Sequence, residues 1–382
     1  MEQTPLLVLG AGPYGLATAA LARESGIETT VVGQPMGFWR ENMPQGMLLR
    51  SGIDWHLDPL GVYTLTAYLA EVGIPEADAR PIPVELFIDY ADWYARQVGV
   101  EVVGKTVTAL RSGNEHGFVA DFEDGSSLSA DAVVATPGLR HFATVPPEIR
   151  ESLTPDRYSH TCTTTRFDDL EGSRVLILGG RQSAFEWAAL LAEHGCAAIE
   201  IVFRHDSPSF EPSDWSFVDP LLEQTVQVRG WFRRLPRAER DAIRGRFWAE
   251  GRLKLEPWLE PRITRGNIRR WPNERVLRYE ERPAGDIEVL LSGGDRLVVD
   301  HVILATGYVT DMTRVPYLAA GDLLPDLKLE NGSPTLDEDF QASVPGLFLP
   351  SWPSTQDFGP FFGFVAGVPA AARIIVGKLL ER

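Results

Sequence analysis

The sequence predicts an α/β fold with two Rossmann-like domains, because one pattern of strand, glycine-rich turn and helix occurs twice. Leu6–Leu9 and Val175–Leu178 are short apolar runs, typical of strands buried on both faces of a parallel sheet. A glycine-rich turn and a helix-like segment follow each run at once. Each unit later contains a hairpin-like region, with a turn at Asp124-Gly125 or Gly293-Gly294. Repetition on this scale indicates duplicated units, so we expect a β-meander in each domain.

The first turn, residues 10–15, has the G-x-G-x-x-G spacing of a dinucleotide-binding loop. In such a loop the first glycine allows a tight turn, and the second lets the backbone approach a diphosphate. The third lets the helix pack closely on the strand. The N-terminus of the following helix attracts anions. The predicted contacts here are Gly10, Gly12, Pro13, Tyr14 and Gly15.

The strand after the first loop, residues 28–32, lacks the acidic residue that usually ends it and binds a ribose hydroxyl. Gly33 and Gln34 stand there instead. The Gln34 amide donates and accepts hydrogen bonds, so it can contact a ribose. The alternative is that residues 33–35 form only a turn, and both interpretations stay open.

The second turn departs from the ideal loop at its second glycine. Gly179 and Ala184 fit the first and third positions, whereas Arg181 occupies the second. An arginine there either crowds a diphosphate or binds it, and we favour binding because guanidinium groups are good phosphate ligands. The residues predicted to contact a second dinucleotide are Gly179, Gly180, Arg181, Gln182 and Ser183.

The next strand, residues 199–203, ends in two basic residues, Arg204 and His205. A residue at this position contacts the ribose of the dinucleotide, and a basic side chain there suits a 2′-phosphate. The pattern favours NADPH over NADH, and the alternative is a solvated charge at a strand end.

Composition excludes several other classes of protein. The chain has 36 Lys and Arg against 53 Asp and Glu, a net charge of −17, which disfavours a nucleic-acid binder or a hold on anionic membranes. No apolar run is long enough to span a bilayer. Cys162 and Cys196 form no C-x-x-C pair and the N-terminus lacks a basic start, so we expect a cytoplasmic protein. The histidines, His116 among them, show no metal-ligand spacing, and we expect no metal.

The chain resembles the flavoproteins with two dinucleotide-binding domains over nearly its whole length. Among them it is most similar to the flavin-containing and N-hydroxylating monooxygenases. The resemblance rests on the Ala-Thr-Gly junction at 305–307, the C-terminal pattern of 344–372 and the Asp58-Pro59 segment. Two features differ from these enzymes. Of the fingerprint F-x-G-x-x-x-H only His160 is present, and Ser51 stands where the N-hydroxylating branch has a substrate-binding lysine.

The resemblance implies that the first loop binds FAD and the second NADPH. It also implies that a flavin C4a-hydroperoxide passes one oxygen atom from O2 to nitrogen, sulfur or carbon of a small molecule. The identity of that molecule and the oligomeric state, a homo-oligomer included, stay open. The further implied FAD contacts are Gly33, Gln34, Trp39, Arg50, Thr136, Gly307, Phe358 and Gly359.

Few catalytic side chains are expected, because the flavin carries the oxygen chemistry. The most polar stretch near the expected flavin is residues 50–58. Within it, Asp54 or His56 can shuttle a proton, a role that suits a histidine near its usual pKa. The alternative is a capped loop, since Asp58-Pro59 commonly starts a turn.

Residues 207–285 form a predicted helical insertion rich in Arg and Trp. This insertion either covers the substrate, or forms a dimer surface or a solvated helix pair, and its composition suits each of these. We expect a discontinuous FAD-binding domain of residues 1–165 and 305–382. The NADP-binding domain is expected at residues 166–304 and contains the insertion.

The leading predicted function is an NADPH-driven FAD monooxygenase that acts on a small molecule. Arg181 and the incomplete fingerprint motivate a first alternative, an FAD-dependent NAD(P)H oxidoreductase or oxidase that does not transfer oxygen. The second alternative is a non-enzymatic FAD-binding redox sensor with the insertion as its partner surface.

Overall fold

The computed structural model describes residues 2–113 and 117–381, so His116 lies outside the described residues. Within these ranges no helix is both long and apolar enough to cross a bilayer. The strands are β1 (Glu2–Leu9), β2 (Thr29–Val32), β3 (Leu48–Leu49), β4 (Ile82–Pro83), β5 (Val102–Val103), β6 (Val107–Ser112), β7 (Phe118–Phe122), β8 (Ser127–Ala135), β9 (Tyr158–His160), β10 (Arg174–Leu178), β11 (Ala198–Val202), β12 (Ser209–Phe210), β13 (Lys254–Leu255), β14 (Ile268–Trp271), β15 (Val276–Glu281), β16 (Ile287–Leu291), β17 (Arg296–Val299), β18 (His301–Leu304), β19 (Leu329–Glu330), β20 (Ser333–Pro334) and β21 (Leu347–Phe348). The helices are α1 (Pro13–Glu24), α2 (Gly37–Glu41), α3 (Leu65–Val72), α4 (Val84–Gln97), α5 (Pro147–Ser152), α6 (Gln182–Glu193), α7 (Val218–Gln227), α8 (Trp231–Arg234), α9 (Arg237–Trp248), α10 (Glu260–Ile263), α11 (Pro316–Ala319), α12 (Thr355–Phe358) and α13 (Val368–Leu380).

The first Rossmann unit is built on a sheet of strand order β5-β2-β1-β8-β7-β6, and β21 also pairs with β8. Its central strands are parallel, so Leu7 of β1 pairs with Thr30 on one side and with Val133 on the other. Leu7 is fully buried, as expected of a strand covered on both faces. Strands β6, β7 and β8 form the predicted antiparallel meander.

The second Rossmann unit repeats this plan with a parallel sheet of order β14-β11-β10-β18-β9. Strand β10 lies at its centre, where Leu176 pairs with Glu200 and with Val302. The second meander, β15-β16-β17, is a separate antiparallel sheet. The predicted fold class is therefore confirmed, and the carboxyl ends of β1 and β10 carry the two glycine-rich turns.

The two helices that follow the glycine-rich turns begin inside those turns. Helix α1 starts at Pro13 and α6 starts at Gln182. The last residues of each glycine-rich turn are therefore already helical. Each helix N-terminus consequently lies within its loop, which is the position that an anionic ligand requires.

The helical part of the predicted insertion is shorter than the 207–285 range. Its helices end at Ile263, and β14 and β15 then join the sheets of the second unit. Trp271 of β14 and Tyr279 of β15 are buried in the core of that unit. Residues 265–282 are rich in arginine, like the helical insertion before them. Composition therefore did not distinguish the strands β14 and β15 from the helices of the insertion. The helical insertion therefore consists of residues 207–263.

Candidate active site

Both glycine-rich turns open onto one cavity of about 520 Å³. Its wall includes residues that follow β1, β3 and β8 in the first unit, and the first turn of α6 in the second. Two ligands bound at the two turns can therefore meet in one space. The predicted site residues in this wall are Gly10, Gly12, Pro13, Tyr14, Gln34, Trp39, Arg50, Thr136, Gln182 and Ser183.

The first loop is shaped by close backbone packing around an open middle. Gly10 has φ +104°, and a Cβ there would lie 2.4 Å from the Thr136 hydroxyl oxygen. A Cβ on Gly15 would lie 1.9 Å from the Gly10 carbonyl oxygen. A Cβ on Gly12, in contrast, would meet no protein atom within 4 Å, and α1 begins without a side-chain cap. The loop thus offers space and unpaired backbone N–H groups to an anion, which fits the diphosphate of FAD.

Tyr14 ties this loop to the C-terminal segment that closes the cavity. Its hydroxyl donates to the Phe362 carbonyl at 2.6 Å and lies 2.9 Å from the Phe364 carbonyl. Burial raises the pKa of Tyr14 well above its usual value, so the phenol stays protonated as a donor. Gly363 and Phe364 consequently stand in the cavity wall.

Several predicted FAD contacts lie outside this wall. Phe358 stacks on Phe340 in the core with 3.6 Å between ring centroids, and Gly359 caps the same short helix. The Gly33 N–H donates to the carbonyl of Val103. The Gly307 carbonyl accepts a hydrogen bond instead of facing the cavity. The residues that the structure does not bring into the wall on this side are Gly15, Gly33, Gly307, Phe358 and Gly359.

His160 is the partner of Gly307, and its hydrogen bonds show a structural role. The Cys162 N–H donates to its Nδ1 at 3.1 Å, so Nε2 carries the proton and donates to the Gly307 carbonyl at 3.2 Å. Burial lowers the pKa of His160 to about 4. A neutral imidazole therefore links the segment after β9 to the turn that follows β18.

The arginine of the second loop contacts the insertion. Helix α6 starts at Gln182 without a side-chain cap. Nη1 of Arg181 donates to the Arg252 carbonyl at 2.7 Å, and the guanidinium lies 4.9 Å from the ring centroid of Trp248. The side chain thus extends to the insertion. Gly179, Gly180 and Arg181 lie behind the wall, whereas Gln182 and Ser183 form part of it.

The basic pair at the end of β11 lies outside the cavity as well. Arg204 is exposed, and among the described residues no carboxylate lies within ion-pair distance of it. His205 Nδ1 donates to the Asp206 carbonyl at 2.6 Å. Its Nε2 lies close to Gly180, because a Cβ on that glycine would be 2.6 Å away. Arg204 is therefore available to a phosphate group near the second loop.

The insertion supplies aromatic side chains to the cavity. Trp55, Trp215, Phe247 and Phe364 form an aromatic wall, with 5.8, 5.2 and 5.1 Å between successive ring centroids. Trp215 and Phe247 belong to the insertion and the other two to the first unit. A cover over the substrate was one of the alternatives that the sequence left open for this segment, but the sequence did not show which of its residues face a ligand. Large apolar side chains at this place exclude water.

Arg50 faces the cavity but its guanidinium is bound to the protein. Nε pairs with Glu256 Oε1 at 2.9 Å, and Nη1 donates to the Gly251 carbonyl at 2.6 Å. Nη2 donates to the hydroxyl of Ser213 and the carbonyl of Glu250. Arg50, predicted to contact FAD, thus holds the insertion against the first unit.

Asp54 and His56 flank Trp55, but neither side chain lies in the cavity wall. Asp54 is exposed. His56 is half-buried, and its buried Nδ1 has no hydrogen-bond partner among the described residues. Burial is the main cause that lowers the pKa of His56. Asp58 caps its loop by accepting from the N–H groups of Val62 and Tyr63. Of these three residues only Trp55 lines the cavity, so the structure does not bring the predicted proton shuttles Asp54 and His56 into its wall.

Within the described residues, no group of three or more His, Cys, Asp or Glu side chains is placed to hold a metal ion. Cys162 and Cys196 are both buried and form no disulfide. Neither cysteine lines the cavity.

Comparison with known proteins places this geometry among flavoenzymes. The sequence model of the pyridine nucleotide-disulphide oxidoreductase family matches residues 4–230. An FAD-dependent urate hydroxylase of Xanthomonas campestris pv. campestris is 26% identical over 329 residues, which cover 82% of this chain and 67% of that protein. A probable indole-3-pyruvate monooxygenase of Arabidopsis thaliana, YUCCA9, is 26% identical over 339 residues, 79% of this chain and 74% of that protein. The solved ornithine N-hydroxylase KtzI of Kutzneria sp. 744 superposes with a TM-score of 0.80 at 16% identity, covering 100% of this chain and 99% of that one; this likeness shows the shared fold.

Proposed function

The chain belongs to the pyridine nucleotide-disulphide oxidoreductase family, and we propose that it is an FAD-dependent, NADPH-driven monooxygenase of a small molecule. The observation that carries the proposal is the shared cavity. Residues of the first loop and of the first turn of α6 line one space. Electrons can pass between two bound dinucleotides only where their reactive ends meet, and this arrangement provides that place.

The protein's part in the reaction is binding, orientation and exclusion of water. FAD would supply the oxygen activation and NADPH the electrons. The open backbone around Gly12 and the uncapped N-terminus of α1 would hold the FAD diphosphate. The first turn of α6 would hold the diphosphate of NADPH, and Arg204 its 2′-phosphate. The aromatic wall would keep water from the reacting atoms.

Oxygen transfer is favoured over disulfide reduction by the placement of the cysteines. A disulfide reductase that uses its own dithiol needs two thiols next to the flavin. Cys162 and Cys196 lie outside the cavity wall. Burial raises the pKa of both thiols, that of Cys196 to about 11, which disfavours the reactive thiolate. The two relatives described above are named as a hydroxylase and a monooxygenase, which also supports oxygen transfer.

Rapid mixing separates the proposal from its two alternatives. We expect NADPH to bleach the flavin under nitrogen, which a redox sensor without turnover would not show. Mixing the reduced enzyme with oxygen in the presence of NADP⁺ should give an absorbance transient distinct from both oxidised and reduced flavin. A direct return to oxidised flavin with one H2O2 released per NADPH would instead identify an oxidase.

We also propose the division into an FAD-binding domain of residues 1–165 and 305–382 and an NADP-binding domain of residues 166–304. Strand β9, at residues 158–160, pairs with β18 in the second sheet, so the crossing between domains lies at this strand. A cytoplasmic location and a homo-oligomer stay predictions, which cell fractionation and analytical ultracentrifugation would test.

A further inference from the structure

The cavity contains a cation that none of the described residues neutralises. Arg252 lies in a π-helical turn, Ala249–Leu253, and lines the cavity. Among the described residues no acceptor lies within hydrogen-bonding distance of its guanidinium, and no carboxylate within ion-pair distance. π-Helical turns are rare and are frequently found at functional sites.

The other charged side chains of the cavity wall do not balance Arg252. Arg50 is paired with Glu256. Glu41 and Arg140 face each other at 3.9 Å, with both side chains more than half exposed. Within the part of the chain that the structure describes, the interior of the cavity therefore carries one uncompensated positive charge.

The surroundings of Arg252 make this charge unfavourable without a ligand. Burial, followed by the nearby charges of Arg50 and Arg181, lowers the pKa of Arg252. A guanidinium nevertheless stays protonated in proteins. A bound anion would offset both the lost hydration and the like-charge repulsion. A cationic ligand such as an amine would add to the repulsion.

The two cofactor diphosphates do not account for this cation. Each has its own uncapped helix N-terminus, at α1 and at α6. Arg252 belongs to neither helix but to the insertion, which also contributes Trp215 and Phe247 of the aromatic wall to the cavity. A third ligand that is anionic and partly planar fits this combination, because aromatic rings stack on rings and guanidinium binds carboxylate.

We propose that Arg252 binds the carboxylate of an aromatic carboxylic acid and thereby selects an anionic substrate over an amine. This inference rests on the proposed function, since it assigns the substrate of the same cavity. Arg50 acts as a positioning residue, because it binds the carbonyl groups of Glu250 and Gly251 next to Arg252.

The test is a titration of the oxidised FAD holoenzyme, followed by flavin absorbance, with three probes of matched shape. Phenylacetate, phenylacetamide and phenethylamine carry one negative, no and one positive charge. We expect phenylacetate to bind at least about tenfold more tightly than phenylacetamide, since a charge-assisted hydrogen bond contributes more than about 1.4 kcal/mol. Phenethylamine should bind most weakly.

Two variants connect this order to Arg252. Arg252→Gln should abolish the preference for phenylacetate, while Arg252→Lys should retain part of it. Arg246→Gln, which removes an exposed charge from α9 of the insertion, should leave the preference unchanged. Circular dichroism and FAD content confirm that the variants compared are folded.

Three results would overturn the inference. The first is that the wild type binds phenethylamine as tightly as phenylacetate or more tightly. This measurement does not depend on the folding of any variant. The second is an unchanged preference in Arg252→Gln. The third is a weaker affinity for NADP⁺ in Arg252→Gln with an unchanged phenylacetate titration, which would assign Arg252 to the cofactor. The titration needs no turnover, so a failure of oxygen transfer with the preference intact would count against the proposed function alone.

Discussion

Arg50 and Glu256 form an ion pair, with 2.9 Å between Nε and Oε1, that joins the first Rossmann unit to the residues after the π-helical turn. The side chains are 17% and 14% exposed, so solvent screens the pair only in part. The same guanidinium binds backbone carbonyls on both sides of Arg252. One cation of the first unit therefore fixes the segment that presents another cation to the cavity.

Removing Arg50 should destabilise the protein more than removing an exposed arginine. Arg50→Gln leaves Glu256 and several carbonyl groups without their donor. We expect a loss of about 1–3 kcal/mol in the free energy of unfolding, between the values for exposed and buried pairs. The matched control is Arg40→Gln, which removes an ion pair with Asp92, a side chain that is 34% exposed. This substitution should lower the free energy of unfolding by less than about 1 kcal/mol. Urea unfolding measures both, and equal losses would contradict the role of Arg50.

Replacing Gly12 should remove FAD without unfolding the protein. A Cβ on Gly12 meets no atom of the described residues within 4 Å and would enter the space in which we propose that the FAD diphosphate binds. Gly12→Ala should therefore fold normally but be purified with much less FAD, as measured by the ratio of absorbance at the flavin and protein bands.

Gly15→Ala is the contrasting variant, because its Cβ would lie 1.9 Å from the Gly10 carbonyl oxygen. We expect this substitution to lower the melting temperature measured by circular dichroism. Full FAD content in Gly12→Ala would show that the diphosphate does not approach this residue.

Arg204→Ala should weaken the binding of NADPH much more than the binding of NADH. If Arg204 binds the 2′-phosphate, losing a charge-assisted hydrogen bond raises KM for NADPH roughly 10- to 100-fold. KM for NADH, which lacks that phosphate, should change little. Arg23→Ala removes an exposed charge from α1 and serves as the control in the same steady-state assay. Equal increases for both nucleotides would remove the assignment.

Glu186 should make stability depend on pH. It is fully buried, and burial raises its pKa to about 7, although Arg262 opposes the shift. Between its usual pKa and about 7, the folded protein retains a proton that the unfolded chain releases. The free energy of unfolding therefore falls as pH rises through this interval.

Glu186→Gln does not titrate, so its stability relative to the wild type should increase from pH 4.5 to pH 7.5. The expected change is on the order of 2–3 kcal/mol. Unfolding at several pH values measures it, and Glu193→Gln, which removes another acceptor of Arg262, is the matched control. A constant difference between Glu186→Gln and the wild type would refute the shift.

Local sequence was enough to predict both nucleotide-binding units. A strand buried on both faces reads as an apolar run, and the close approach of Gly15 to Gly10 permits only glycine. These are interactions between near neighbours in the chain, so their spacing is visible in the sequence. The resemblance to flavin-dependent monooxygenases followed from the same local motifs.

The tertiary structure decided which side chains share the cavity. Phe358 and Phe364 belong to one aromatic segment, yet Phe358 stacks in the core while Phe364 lines the cavity. Arg50 and Arg252 lie about 200 positions apart in the chain, and only the docking of the insertion places them together. The sequence shows that both are charged, but which of the two is already paired depends on Glu256 and on backbone carbonyls that the fold brings near. The uncompensated charge of the cavity is therefore a property of long-range packing, which no local pattern encodes.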